Sequence, residues 1–273
     1  MIEEGLLIVT KVGMLLFVVA GMAAMGLSLT VPRVVEPLRD LRMMALLLAA
    51  NFVAVPVVAV AAARILPMDE AASTAVILVG CCAGAPFLPK LAQLAKGDAA
   101  LAVGGMVLLM VATVVYAPIV GPLVVEGATV EAWDIASSLI VLMLIPLGLG
   151  LLAKARYEEF ADSVAGQVGQ ISSVGLLVGI VAALLVSWRD VLGAIGSWIF
   201  IGVAIVLAVG FVVGYLAGFG RSQRDMTVLG LATAQRNIAA AMVVAASLSG
   251  DVVVLTMVGA LVIPLVLIVL AGE

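Results

Sequence analysis

Residues 226–248 read MTVLGLATAQRNIAAAMVVAASL, an apolar stretch long enough to cross a bilayer, with Gln235, Arg236 and Asn237 at its centre. A guanidinium at that depth costs roughly 2.5–3.5 kcal/mol on insertion scales, so an intramembrane Arg marks a site or a structural partner. Earlier in the chain, residues 80–90 read GCCAGAPFLPK, with two glycines and two prolines inside another apolar stretch. Proline lacks an N–H and its ring clashes with the preceding turn, so a helix entering this segment breaks near mid-membrane. Each break is followed, after a short loop, by a span that carries proline: Pro118 and Pro122 after the first, Pro264 after the second. Broken hydrophobic segments at corresponding positions of two halves are the sequence mark of an inverted-repeat transporter.

Composition points the same way. The 273 residues are 65% hydrophobic and 11% charged, with a mean hydropathy of +1.36. These values exclude an ordinary soluble domain and indicate a polytopic, all-α membrane protein. The 28 glycines, with abundant Ala, Val and Leu, suit transmembrane helices whose backbones approach closely. The alternating segments of roughly ten residues that mark a membrane β-barrel are missing. Histidine is absent, and with it the commonest metal ligand and proton shuttle. Cys81 and Cys82 are adjacent and read as small buried hydrophobes rather than a disulfide framework. The first apolar stretch follows Glu3 and Glu4 and is too long for the core of a cleavable signal peptide.

Hydropathy divides the chain into nine segments of membrane length, approximately 5–30, 42–66, 71–95, 99–125, 133–154, 167–188, 192–219, 226–249 and 251–272. The loops between them are short, so a single transmembrane domain is expected. Its first repeat covers about 5–125 and its second about 133–272. The third and eighth spans are the broken ones. Alternate loops carry Arg33, Arg39 and Arg42, then Lys90 and Lys96, then Lys154 and Arg156, then Arg221 and Arg224. The other loops hold Arg64 and Arg189 beside Asp69, Glu70, Glu126, Glu131, Asp134 and Asp251. By the positive-inside rule the first set is cytoplasmic, which places the amino terminus outside and the carboxyl terminus inside a cell membrane crossed many times.

The polar residues inside the spans are the candidate site. Arg236 either binds carbonyls released by the helix break or offers a fixed cation to a substrate. Gln235, Asn237 and Thr233 share its break, where amides can also serve helix packing. Gly84, Ala85, Pro86 and Phe87 form the other break, whose unwound backbone presents N–H groups to anions and carbonyls to cations. Lys90 and Lys11 lie where a lysine snorkels to the interface, although Lys90 could add charge to a pocket. No Asp or Glu falls in the interior of a span, so no proton-carrying carboxylate is evident and the field of the site is positive. A small anionic substrate follows, with the lipid bilayer as the surroundings and no nucleic-acid partner.

Four segments together resemble the bile acid:sodium symporter family. Residues 22–29, MAAMGLSL, resemble its MFGMGLTL signature, and residues 51–56, NFVAVP, its QFxxMP segment. Residues 84–98 are similar to its first crossover helix, PGGTASNxxTYLAxGN, and residues 234–241, AQRNIAAA, to the GMQNSGLAAAL core of its second. The resemblance implies panel and core domains, two broken helices crossing at the substrate site, and transport of bile salts, steroid conjugates or small carboxylates, commonly with sodium. It also makes Asn51, standing for a Gln, and Gln235 the remaining candidates for contact with substrate or sodium. Other positions depart from the pattern. A Ser-Asn pair is replaced by Leu88-Pro89, hydroxyl ligands by Ala102 and Met106, and an acidic residue by Leu231. Sodium prefers several oxygen ligands, so these departures argue against sodium coupling, with Gln235 and Asn51 the weak sodium candidates left; no other metal or cofactor is expected.

The reading that follows is a secondary transporter moving a small, carboxylate-like organic anion by alternating access, without an enzymatic activity. The alternatives are a sodium-coupled bile-acid-type symporter and a non-transporting membrane sensor or scaffold of the same fold. An arsenite exporter would carry a cysteine where alignment on Gly97-Asp98 puts Gly84. An intramembrane hydrolase would need a motif such as H-E-x-x-H or G-x-S-x-G, and the chain has neither.

Overall fold

The computed structural model describes residues 2–124, 132–246 and 248–272, so the loop acids Glu126 and Glu131 lie outside the described residues. In chain order the helices are α1 (Ile2–Ser28), α2 (Val31–Val35), α3 (Leu41–Ala49), α4 (Val55–Ile65), α5 (Glu70–Cys81), α6 (Leu88–Leu94), α7 (Ala99–Val124), α8 (Ala132–Leu139) and α9 (Ile145–Arg156). They continue as α10 (Glu158–Val186), α11 (Trp188–Gly193), α12 (Ile199–Ala217), α13 (Gln223–Ala234), α14 (Ile238–Ala245) and α15 (Gly250–Gly272). Among the described residues there is no strand, only an isolated antiparallel bridge between Ala83 and Arg236.

Among the described residues, six helical segments are long and apolar enough to cross a membrane: Glu4–Ser28, Leu41–Ile65, Ala99–Val120, Glu158–Val186, Ile199–Ala217 and Gly250–Ile268. Of the three other expected segments, 71–95 and 226–249 are interrupted: the first stops at Cys81 and resumes at Leu88, and the second stops at Ala234 and resumes at Ile238. The segment 133–154 runs on through a π-helical turn at Ile140–Leu144, from α8 into α9.

Two expected boundaries are corrected. The span expected to begin at 167 starts at Glu158, because Lys154 anchors the acidic first turns: its Nζ lies 2.7 Å from Asp162 and 3.1 Å from Glu158. The span expected to begin at 192 starts at Ile199, after Trp198 takes a left-handed conformation (φ 63°) that ends the preceding segment.

Local chemistry sets the helix ends. Asp69 caps α5 through Ala72 N (2.7 Å), Asp98 caps α7 through Ala100 N (2.7 Å), Ser222 caps α13 through Asp225 N (3.2 Å), and Asn237 caps α14 through Ala240 N (3.1 Å). The first break needs Gly84, whose φ of +77° suits a residue without Cβ, and Pro89 sits in the first turn of α6, where no N–H is required. A second π-helical turn, Ala50–Ala54, precedes Pro56 just as Ile140–Leu144 precedes Pro146. Neither proline can donate to the carbonyl four residues back. The chain widens by one residue instead, with Val55 N–H bonding Ala50 O and Ile145 N–H bonding Ile140 O.

The chain divides into two compact units, and each draws on both halves of the sequence. The unit formed by 1–36 and 137–192 packs α1 against α9 and α10. Glycines make that contact: a Cβ on Gly13 would stand 2.8 Å from Gly179 N, and one on Gly150 would stand 2.8 Å from Gly26 Cα. Ser172 closes the seam by donating to Phe17 O at 2.8 Å. The unit formed by 37–136 and 193–273 packs α12 on α13, α4 on α5 and α15 on α5. At its surface Arg221 pairs with Asp40, the residue that caps α3 through Met43 N.

Candidate functional site

Both breaks lie in the second of these units, where α5 packs on α14 and α6 on α13. Helix ends within hydrocarbon must find partners for their released N–H and C=O groups. Here the breaks supply one another. Asn237 N donates to Cys82 O at 2.9 Å and its Nδ2 to Gly84 O at 3.0 Å, while its Oδ1 caps α14. Thr113 on α7 serves the remaining groups of Ala83, accepting from Ala83 N at 3.1 Å and donating to Ala83 O at 2.9 Å. Gly84 passes so close to α7 that a Cβ there would meet the backbone of Leu109 and Met110.

Arg236 is fully buried, at 0% exposure. Its Nε donates to Val79 O at 3.2 Å, Nη2 to Gly80 O at 2.8 Å, and Nη1 to both Thr233 O and Asn51 Oδ1 at 2.9 Å. Val79 and Gly80 belong to the last turn of α5, and Thr233 to the last turn of α13. Each helix C-terminus carries about half a negative charge, so one guanidinium offsets two such ends. The amino-terminal ends of α6 and α14 keep their positive character.

Asn51 sits in the first π-helical turn, 0% exposed. Its Nδ2 donates to Leu47 O at 3.0 Å and to Thr233 Oγ1 at 3.2 Å, which leaves Oδ1 facing the cation. Thr233 Oγ1 in turn donates to Leu229 O at 2.9 Å. Gln235 behaves differently. It is 6% exposed and its Oε1 has no hydrogen-bond partner among the described residues, so it is an acceptor held in reserve.

The residues singled out from sequence therefore fall into two groups. Arg236, Asn51 and Thr233 form one hydrogen-bonded network, and Asn237 and Gly84 another beside it. Gln235, Ala85, Pro86 and Phe87 lie on the same two breaks, and of these only Pro86 is partly exposed. Sequence reasoning missed Thr113 and the carbonyls of Val79 and Gly80. A threonine hydroxyl deep in an apolar span was a readable signal for Thr113; main-chain oxygens carry none. Leu231, Leu88, Pro89, Ala102 and Met106, where the resemblance implies cation ligands, are buried hydrocarbon. Among the described residues no cluster of His, Cys, Asp or Glu could hold a metal ion.

The profile of the Sodium Bile acid symporter family matches residues 14–195. The chain belongs to this family. It is thus a helical membrane protein of a family of transporters. This family member is 28% identical over 200 residues to an uncharacterized sodium-dependent transporter of Bacillus subtilis (strain 168), YocS, covering 71% of this chain and 61% of that one. It is 26% identical over 212 residues to a probable chloroplastic sodium/metabolite cotransporter of Oryza sativa subsp. japonica, BASS2, covering 74% and 49%. It is 28% identical over 179 residues to sodium/bile acid cotransporter 4 of Mus musculus, covering 60% and 38%. The matched stretches span less than two thirds of the length of these relatives. The profile match includes Asn51 and the first break and ends before Arg236.

Proposed function

We propose that this member of the family is a secondary transporter that carries a small organic anion across a cell membrane by alternating access and does so without sodium. One observation carries the reading. The guanidinium of Arg236 occupies the charge position at the ends of α5 and α13, bound by four protein oxygens. A cation built into the chain needs no co-ion to assemble the two breaks. The buried hydrocarbon at Leu231, Leu88, Ala102 and Met106 leaves little oxygen for a separate sodium ion. The substrate's anionic group would meet the amino-terminal end of α14, whose first N–H groups have no partner within the helix. Gln235 Oε1 would accept a hydroxyl or amide N–H of the same substrate. Nine spans, with the two broken helices crossing, an external amino terminus and a cytoplasmic carboxyl terminus, complete this reading.

A thermal-shift screen of the purified protein against small carboxylates, in sodium and in choline, identifies the ligand. Uptake of that ligand into proteoliposomes is expected to proceed at the same rate when sodium is replaced by choline or potassium. Strong sodium dependence would overturn the reading in favour of a sodium-coupled symporter, for which the unpartnered Gln235 Oε1 is the available ligand. Ligand binding without uptake or counterflow would instead favour a sensor.

A further inference from the structure

Four oxygen atoms converge inside the second unit: the main-chain oxygens of Val79, Gly80 and Thr233, and Oδ1 of Asn51, each 2.8–3.2 Å from a guanidinium nitrogen. Their positions are set by more than Arg236. The helix ends of α5 and α13 place three of them. The fourth is held from behind, because Asn51 Nδ2 is committed to Leu47 O and Thr233 Oγ1, and Thr233 Oγ1 to Leu229 O. The amide therefore cannot turn a donor toward the site without losing two hydrogen bonds. Neutral oxygens gathered at the negative ends of two helices are the chemistry with which proteins replace a cation's hydration shell. No Asp or Glu is buried among the described residues, so the field suits one positive charge rather than two.

We propose that these oxygens constitute a binding site for a monovalent organic cation, whose resident occupant is the tethered guanidinium of Arg236. The site takes a free guanidinium ion once the tether is removed. Shape favours guanidinium over an alkali ion. The four acceptors receive four N–H groups of one planar fork, whereas a bare ion would require the same oxygens, fixed by helix ends, to draw inward.

The experiment is thermal unfolding of purified Arg236→Ala in millimolar guanidinium chloride, with matched potassium, sodium and choline chlorides as controls. Guanidinium is expected to raise the Tm of the variant by roughly 5 °C in a saturable manner and to leave the native protein unstabilised, because its site is full. The sign is diagnostic, since guanidinium acting only as a denaturant lowers Tm. Adding Asn51→Leu to Arg236→Ala removes the side-chain oxygen of the site and is expected to weaken the guanidinium response at least roughly tenfold. Absence of a cation-specific rise, an equal rise in the native protein, or an alkali response as large as that of guanidinium would overturn the proposal. Should Arg236→Ala fall apart on solubilisation, the fraction recovered as a monodisperse species with and without guanidinium replaces Tm as the readout. The measurement involves no transport, so its failure and a failure of the uptake experiment are separate results.

Discussion

At the residue scale, the chemistry of this protein turns on how one buried cation is shared. Four N–H groups of Arg236 meet four oxygens, and a lysine has neither the reach nor the planar fork to do the same. Arg236→Lys is expected to lower Tm in detergent by roughly 5 °C, and Arg236→Ala to destabilise by about 3–5 kcal/mol because buried oxygens are left without donors. A smaller loss for Ala than for Lys would count against the hydrogen-bond account. Gly84 is the second sensitive residue. Its φ of +77° and its contact with the Met110 backbone make Gly84→Ala both strained and overpacked, with an expected loss of roughly 2–4 kcal/mol in equilibrium unfolding. The sequence made Arg236 conspicuous, because a charge in hydrocarbon stands out. Its dependence on Asn51 was invisible, since the two lie 185 positions apart.

At the scale of elements, breaks and caps matter more than apolar length. Pro56 forces the π-helical turn that carries Asn51, so Pro56→Ala restores a donor and allows an ordinary helical turn that rotates Asn51 away from Arg236. Alanine is the better helix former by about 3 kcal/mol, and still the variant is expected to have a lower Tm than the native protein. An unchanged or higher Tm would show that the turn has no part in holding Asn51. The ion pair beside α3 supplies a pH test. The Met43 N–H first, and then the Arg221 guanidinium, hold the Asp40 carboxyl below its ordinary value of 3.8. A depressed carboxyl stabilises the fold above its unfolded pKa and loses that contribution as pH falls through the folded one. Stability from Asp40 is thus flat from neutral pH to about pH 4 and declines below, while Asp40→Asn flattens that acid limb; unfolding curves at stepped pH check it. The glycine and proline punctuation made both breaks readable. The early start of α10 was not, because Glu158, Glu159 and Asp162 look like a loop until Lys154 is seen to pair with two of them.

For the molecule as a whole, composition pointed to a bilayer, and the family match makes the chain a membrane protein of a family of transporters. Cys81 and Cys82 are buried, so the native protein is expected to resist a membrane-impermeant maleimide. A single cysteine placed beyond Gly272 should then react from the cytoplasmic side only, and labelling of intact cells would reverse the orientation argued from loop charge.

What the sequence determined by itself was a set of local properties: apolar length, helix breakers, caps, loop charges and one unsheltered cation. Each depends on residue type at neighbouring positions, which is what a linear chain records. The tertiary structure alone decided what the cation meets. Its partners include the carbonyls of Val79 and Gly80, and a main-chain oxygen is chemically the same at every residue. Only the packing that brings the ends of α5 and α13 together selects these oxygens from all the others and makes Arg236 their shared counter-charge.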